Sequence, residues 1–175
     1  MSERDRFLSL FDQIVEQTIA FAELVDDASY TAVPIDTPEL FLGTRVDKIT
    51  IGGLLRHLIL AEAHWFEQVR QASPGAAIPF PGNAAALEEI PDGVPLLERY
   101  RRDYTNGRAQ LRTLTEEDLA KEVSFAGRRY TVMGFLWTVL GHHSFHLGQI
   151  DLLMRQQGIE PPEYMEWPEN RLIIG

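Results

Sequence analysis

Four stretches of this chain repeat their apolar residues at three- and four-residue steps, and segments rich in proline and glycine separate them. A period near 3.6 residues is satisfied by helices that each turn one stripe inward. The pattern predicts an all-α four-helix bundle with long connections and an extended C-terminal tail. One domain spans residues 1–175, with helices over about 2–28, 50–71, 94–114 and 131–157. A chain of 175 residues is long enough to bury a substantial core.

Local signals set the ends of these helices. Ser2 with Asp5 forms a capping box ahead of the stripe Phe7, Phe11, Ile14, Thr18, Phe21 and Val25, whose rings read as core. Pro34, Pro38 and Gly43 break the connection 28–47, which is expected to cross the bundle or cover one end. Thr50 caps the second helix, with Leu54, Leu58, Ala61, Trp65 and Val69 on its apolar face. Residues 72–92 hold four prolines and read as loop. Pro95 suits the first turn of the third helix, where Leu97, Tyr100, Tyr104, Gly107 and Leu111 form the buried edge and Arg101 and Arg102 face water. Thr115 and Asp118 cap a short helical turn, and residues 123–131 suit a hairpin turning at Ala126-Gly127. Thr131 starts the last helix and Gly158 ends it. The tail 159–175 is expected to strap over the bundle through Trp167.

The last helix carries an anomaly. Its inward stripe reads Phe135, Val139, His142, His146, Gln149 and Leu153, so ligand-type side chains stand where a bundle normally places Leu or Ile. His142 and His146 are one turn apart, and i,i+4 imidazoles can share one cation. Taken alone, such a pair is also found as hydrogen-bonded core histidine. His57 adds a third imidazole near the inner face of the second helix. Three neutral imidazoles leave a tetrahedral ion one open position, the pattern of a reactive site rather than a structural one. Zinc, nickel and iron(II) all accept these donors. Gln149 could orient a ligand or a bound water. His143, about 100° around the helix from His142, reads as a surface or supporting residue. His64 lies two turns beyond His57, about 10 Å along the axis, and is a spare. Glu62 points away from His57. Glu62, Tyr100 and Tyr104 are candidate general bases only if they reach the cavity, none is assigned, and His64, Tyr100 and Tyr104 are possible pocket residues.

The stretches GHHSFHLGQIDLLMRQQG and TIGGLLRHLILAEAHWF make the chain similar to the DinB-like (YfiT-like) four-helix bundles, over most of its length from helix one to Gly158. In that family a histidine of the second helix and an HxxxH pair before Gly-Gln form a divalent metal site. The match falls on His57, His142 and His146, followed by Gly148-Gln149. Leu147 stands where the family often has arginine, which removes a charge near the site. The resemblance implies frequent homodimers and a metal-dependent enzyme on a small-molecule substrate. Thiol-dependent S-transferases and a maleylpyruvate isomerase, which use a metal-bound low-molecular-weight thiol, are among its members. Hydrolysis by the same site is the companion expectation, and a non-catalytic stress-response or small-molecule-binding bundle with a structural or vestigial ion is the alternative.

Charge and composition bound the rest. A net charge of -10 without a basic cluster suits neither nucleic acid nor an anionic membrane. The N-terminus MSERDRFLSLFDQ has no secretory apolar region, so a cytoplasmic location is expected. The chain has no cysteine. Any thiol used must therefore come from outside.

Overall fold

The computed structural model describes residues 1–33, 49–82 and 85–163. Four long helices carry the architecture: α1 (Glu3–Ala22), α3 (Ile51–Gln71), α5 (Val94–Leu111) and α7 (Val132–Gln156). Each of α1 and α3 packs against both α5 and α7, which closes a four-helix bundle. Short helices α2 (Asp27–Thr31), α4 (Ala85–Glu88) and α6 (Glu116–Ala120) lie in the connections.

The capping signals act as read. Ser2 and Asp5 form the reciprocal box at α1, Thr115 and Asp118 form one at α6, and the hydroxyls of Thr50 and Thr131 accept from the third residue of α3 and α7. At the end of α7, Gly158 takes φ +74° and the Ile159 amide donates to the Met154 carbonyl at 2.9 Å. Pro95 sits in the first turn of α5.

The first helix is shorter than its stripe suggests. It stops at Ala22 because Asp26 caps a separate turn of helix, accepting from the Ser29 amide at 2.8 Å. Val25 is still buried, so the apolar period continues through a backbone break. The third helix likewise ends at Leu111, three residues early. Most of the expected crossing connection and the Trp167 strap lie outside the described residues.

Two strands, β2 (Glu122–Phe125) and β3 (Arg128–Thr131), make the hairpin, pairing Val123 with Tyr130. Ala126 and Gly127 turn it at φ +49° and +77°, the conformation a two-residue hairpin requires. A two-residue strand, β1 (Ala76–Ala77), joins β2 in parallel, within the segment read as loop. It is too short for any period to reveal.

The core runs through the bundle centre. The Phe11 ring meets Phe66 at 5.3 Å, stacks on Tyr104 at 5.7 Å and meets the His143 ring at 5.5 Å. Gly107 lets α5 approach α3, since a Cβ there would stand 2.6 Å from the Phe66 ring.

Candidate metal centre

α3 and α7 bring His57, His142 and His146 together. The Nε2 of His142 lies 3.0 Å from that of His57 and 3.1 Å from that of His146. All three donor atoms fall within 4.8 Å of one another, and this is the one such group of three among the described residues. Zinc–imidazole bonds of about 2.0–2.1 Å set neighbouring donors of a tetrahedral site roughly 3.4 Å apart, close to these spacings. The donor set therefore fits a divalent ion of imidazole preference, with no carboxylate or thiolate in it.

Protonation states suit that role. His146 donates its Nδ1–H to the Gln149 side-chain carbonyl at 2.7 Å, which leaves Nε2 with its lone pair. Burial, then the neighbouring His146, His57 and His143 rings, hold the His142 pKa down to about 3. Burial also lowers that of His146, against the opposing bond to Gln149. His142 and His146 are thus neutral near pH 7.

The three imidazoles are half-buried rather than inside the core. This corrects the helical-wheel reading. The inward face of α7 is Phe135, Leu136, Val139, His143, Leu147, Ile150 and Met154, so His142, His146 and Gln149 stand at its edge. Rings border them. The Trp65 ring meets His142 edge-on at 5.0 Å, and Phe145, 63% exposed, meets His146 at 5.2 Å.

The histidine read as surface or support is fully buried. His143 places Nδ1 2.6 Å from Glu62 Oε1 and Nε2 2.8 Å from Thr18 Oγ1. Glu62 does point away from His57, but into the core. Tyr100 donates to its other oxygen at 3.0 Å. Thr18, Glu62 and His143 each interrupt an apolar stripe, and a buried polar group needs a partner. That was the available signal for this network.

The expected pocket residues are occupied elsewhere. His64 Nε2 lies 3.2 Å from the Pro79 carbonyl, on the loop after α3. Tyr104 donates to Asp12 at 2.7 Å, beside the paired Arg108. Burial raises the Tyr100 and Tyr104 hydroxyls above the ordinary tyrosine range, and their carboxylate partners push in the same direction. A cavity of about 350 Å³ lies across α7 from the imidazoles, lined by Ile14, Phe21, Ser144, Gly148 and Asp151 among others.

The sequence pattern of the DinB superfamily matches residues 4–150. No curated protein matches the sequence. Among solved structures, the fold is similar to that of YfiT from Bacillus subtilis, described as a probable metal-dependent hydrolase with an unusual four-helix bundle topology. Identity is 17%, 91% of each chain is covered, and the TM-score is 0.67. A DinB-like protein from Bacillus subtilis aligns at 21% identity and TM-score 0.64, over 90% of this chain and 96% of that one. Another from Bacillus cereus aligns at 23% and 0.62, over 90% and 94%.

Proposed function

The chain belongs to the DinB superfamily, and we propose that it is a divalent-metal-dependent enzyme acting on a small molecule, as a hydrolase or thiol S-transferase. The observation that carries this reading is the convergence of three Nε2 atoms at 3.0 and 3.1 Å steps from two helices. The description of YfiT as a probable metal-dependent hydrolase supports the hydrolytic branch. The absence of cysteine from the chain means that the transfer branch uses an external low-molecular-weight thiol.

In this reading His57, His142 and His146 hold the ion, which is zinc, nickel or iron(II). When bound there, the ion supplies Lewis acidity and lowers the pKa of a coordinated water or thiol toward neutrality. Gln149 holds the His146 ring in the tautomer that offers Nε2. Burial keeps His142 unprotonated. Trp65 and Phe145 wall the site with apolar surface.

Elemental analysis of protein purified without a histidine tag tests this directly. One equivalent of metal is expected, lost in His146→Ala. The loaded protein should then hydrolyse activated esters or amides, or join a small thiol to an electrophile. Metal-free protein, or unchanged metal content in the variant, overturns the reading.

One observation favours the alternative of a non-catalytic metal-binding bundle. Glu62, Tyr100 and Tyr104 are all bonded away from the imidazoles, so none of them is placed as a base. Loaded protein without turnover on any of these substrate classes would decide for it.

The oligomer and compartment belong to the same proposal. The outer face of α7 exposes Phe145 and Leu152. Gly141 and Gly148 are spaced along that face with nothing near their Cβ positions. This supports a homodimer, which sedimentation tests. The cytoplasm is the compartment that supplies reduced small thiols. No described helix is long and apolar enough to cross a membrane, and the charge of -10 argues against a nucleic-acid partner.

A further inference from the structure

Among the described residues the buried polar or charged side chains are Thr18, Glu62 and His143, and all three meet in one network with Tyr100. The four come from α1, α3, α7 and α5, one from each long helix. Each is at most 2% exposed.

A count of hydrogens shows the network to be complete. The Thr18 hydroxyl donates its hydrogen to the Ile14 carbonyl at 2.8 Å, so its oxygen accepts from His143 Nε2–H. Tyr100 donates to Glu62 Oε2 at 3.0 Å. One further proton lies between Glu62 Oε1 and His143 Nδ1, 2.6 Å apart. A bare carboxylate facing a bare ring nitrogen would repel at that distance. Whichever atom carries the proton, the pair is neutral overall and all its members are satisfied.

Stability does not call for this arrangement, because apolar side chains of similar volume commonly serve as well or better. Register does. Apart from His143, the buried face of α7 is apolar, with Leu136, Val139, Leu147, Ile150, Leu153 and Met154 at helical spacing. Such a stripe packs almost equally well after a slide of one or two turns, since one aliphatic residue replaces another. A slide of seven residues would bring Leu136 or Ile150 to face Glu62 and leave its carboxyl without a partner. Hydrogen bonds are steep in distance and angle, so they select one rotation and one position of α7. A single buried polar residue sets coiled-coil register in the same way.

The pinned point adjoins the imidazoles. His143 lies in the turn between His142 and His146, and Glu62 lies little more than a turn beyond His57 on α3. We propose that Glu62, His143, Thr18 and Tyr100 are positioning residues. They fix the slide and rotation of α7 against α3 so that His142 and His146 share one cation with His57. This rests on reading the three imidazoles as a metal site.

The test compares zinc affinity, by competition with a chromophoric chelator, with thermal stability in the full chain. Glu62→Leu/His143→Leu leaves the buried Tyr100 hydroxyl without its acceptor and is expected to stay folded with a melting temperature somewhat below that of the parent. It should bind zinc at least tenfold more weakly and alter the visible bands of bound cobalt(II). Glu62→Gln keeps the bonds, its amide donating to Nδ1 and its carbonyl accepting from Tyr100, and should bind within threefold of the parent. Thr18→Val removes the acceptor for Nε2–H together with the hydroxyl's own bond to the Ile14 carbonyl and should weaken zinc binding severalfold, which keeps the test decisive if the double variant does not fold. Parent-like zinc affinity in a folded double variant, or in Thr18→Val, overturns the inference while leaving the metal site standing. A parent protein that binds none of zinc, nickel and iron(II) overturns both.

Discussion

His146 gives its Nδ1 hydrogen to Gln149 at 2.7 Å, within the same face of α7. The bond orients the ring and settles which nitrogen can act as a ligand. Gln149→Leu should therefore lower zinc affinity by about tenfold to a hundredfold, with helix content by circular dichroism unchanged. Unaltered affinity would mean that the ring is held by packing alone.

The proposed site, with three protein ligands and an open position, suits an ion that the fold can do without. At a free metal concentration a hundredfold above Kd, binding adds about 2.7 kcal/mol. For a chain of this size that is a melting shift of roughly 5–10 °C. Chelation should lower the melting temperature by that amount and leave a cooperative transition. Loss of the transition on chelation would identify a structural ion instead.

A Cβ at Gly107 would stand 2.6 Å from the Phe66 ring. Helix propensity favours alanine there by about 1 kcal/mol, whereas forcing the helices apart costs about 1–3 kcal/mol. The steric cost should win. Gly107→Ala is expected to lower the urea midpoint, and a raised midpoint would show that the Phe66 ring yields freely.

Alkaline stability depends on buried phenols. Tyr30 donates to the Ala22 carbonyl at 2.8 Å and ties α2 to the end of α1. Burial, reinforced by the charges of Asp92, Glu23 and Asp27, pushes its pKa up to about 12. The neutral form is favoured in the fold, so the unfolded chain loses its proton first, near pH 10. Stability from this group is complete below pH 10 and is lost as pH rises through 12. Absorbance at 295 nm should show Tyr30, Tyr100 and Tyr104 un-ionised at pH 11 in the native state, and Tyr30→Phe should flatten the alkaline fall in melting temperature. Early ionisation of these phenols would contradict it.

Much of this molecule was legible in its residues because the signals are local. Capping at Ser2, Thr50, Thr115 and Thr131, the Ala126-Gly127 turn and the Gly158 stop each depend on a few neighbouring residues. The i,i+4 spacing of His142 and His146 is likewise a property of one helix, and the bundle followed from four amphipathic stripes. The burial of His143 was decided only by the tertiary structure. α7 is apolar around much of its circumference, so its period does not distinguish two faces 100° apart, and the one chosen depends on what it packs against. Its partners Glu62, Tyr100 and Thr18 lie 81, 43 and 125 residues away in sequence. No local pattern encodes such a meeting, because its energy exists only once all four helices are in place.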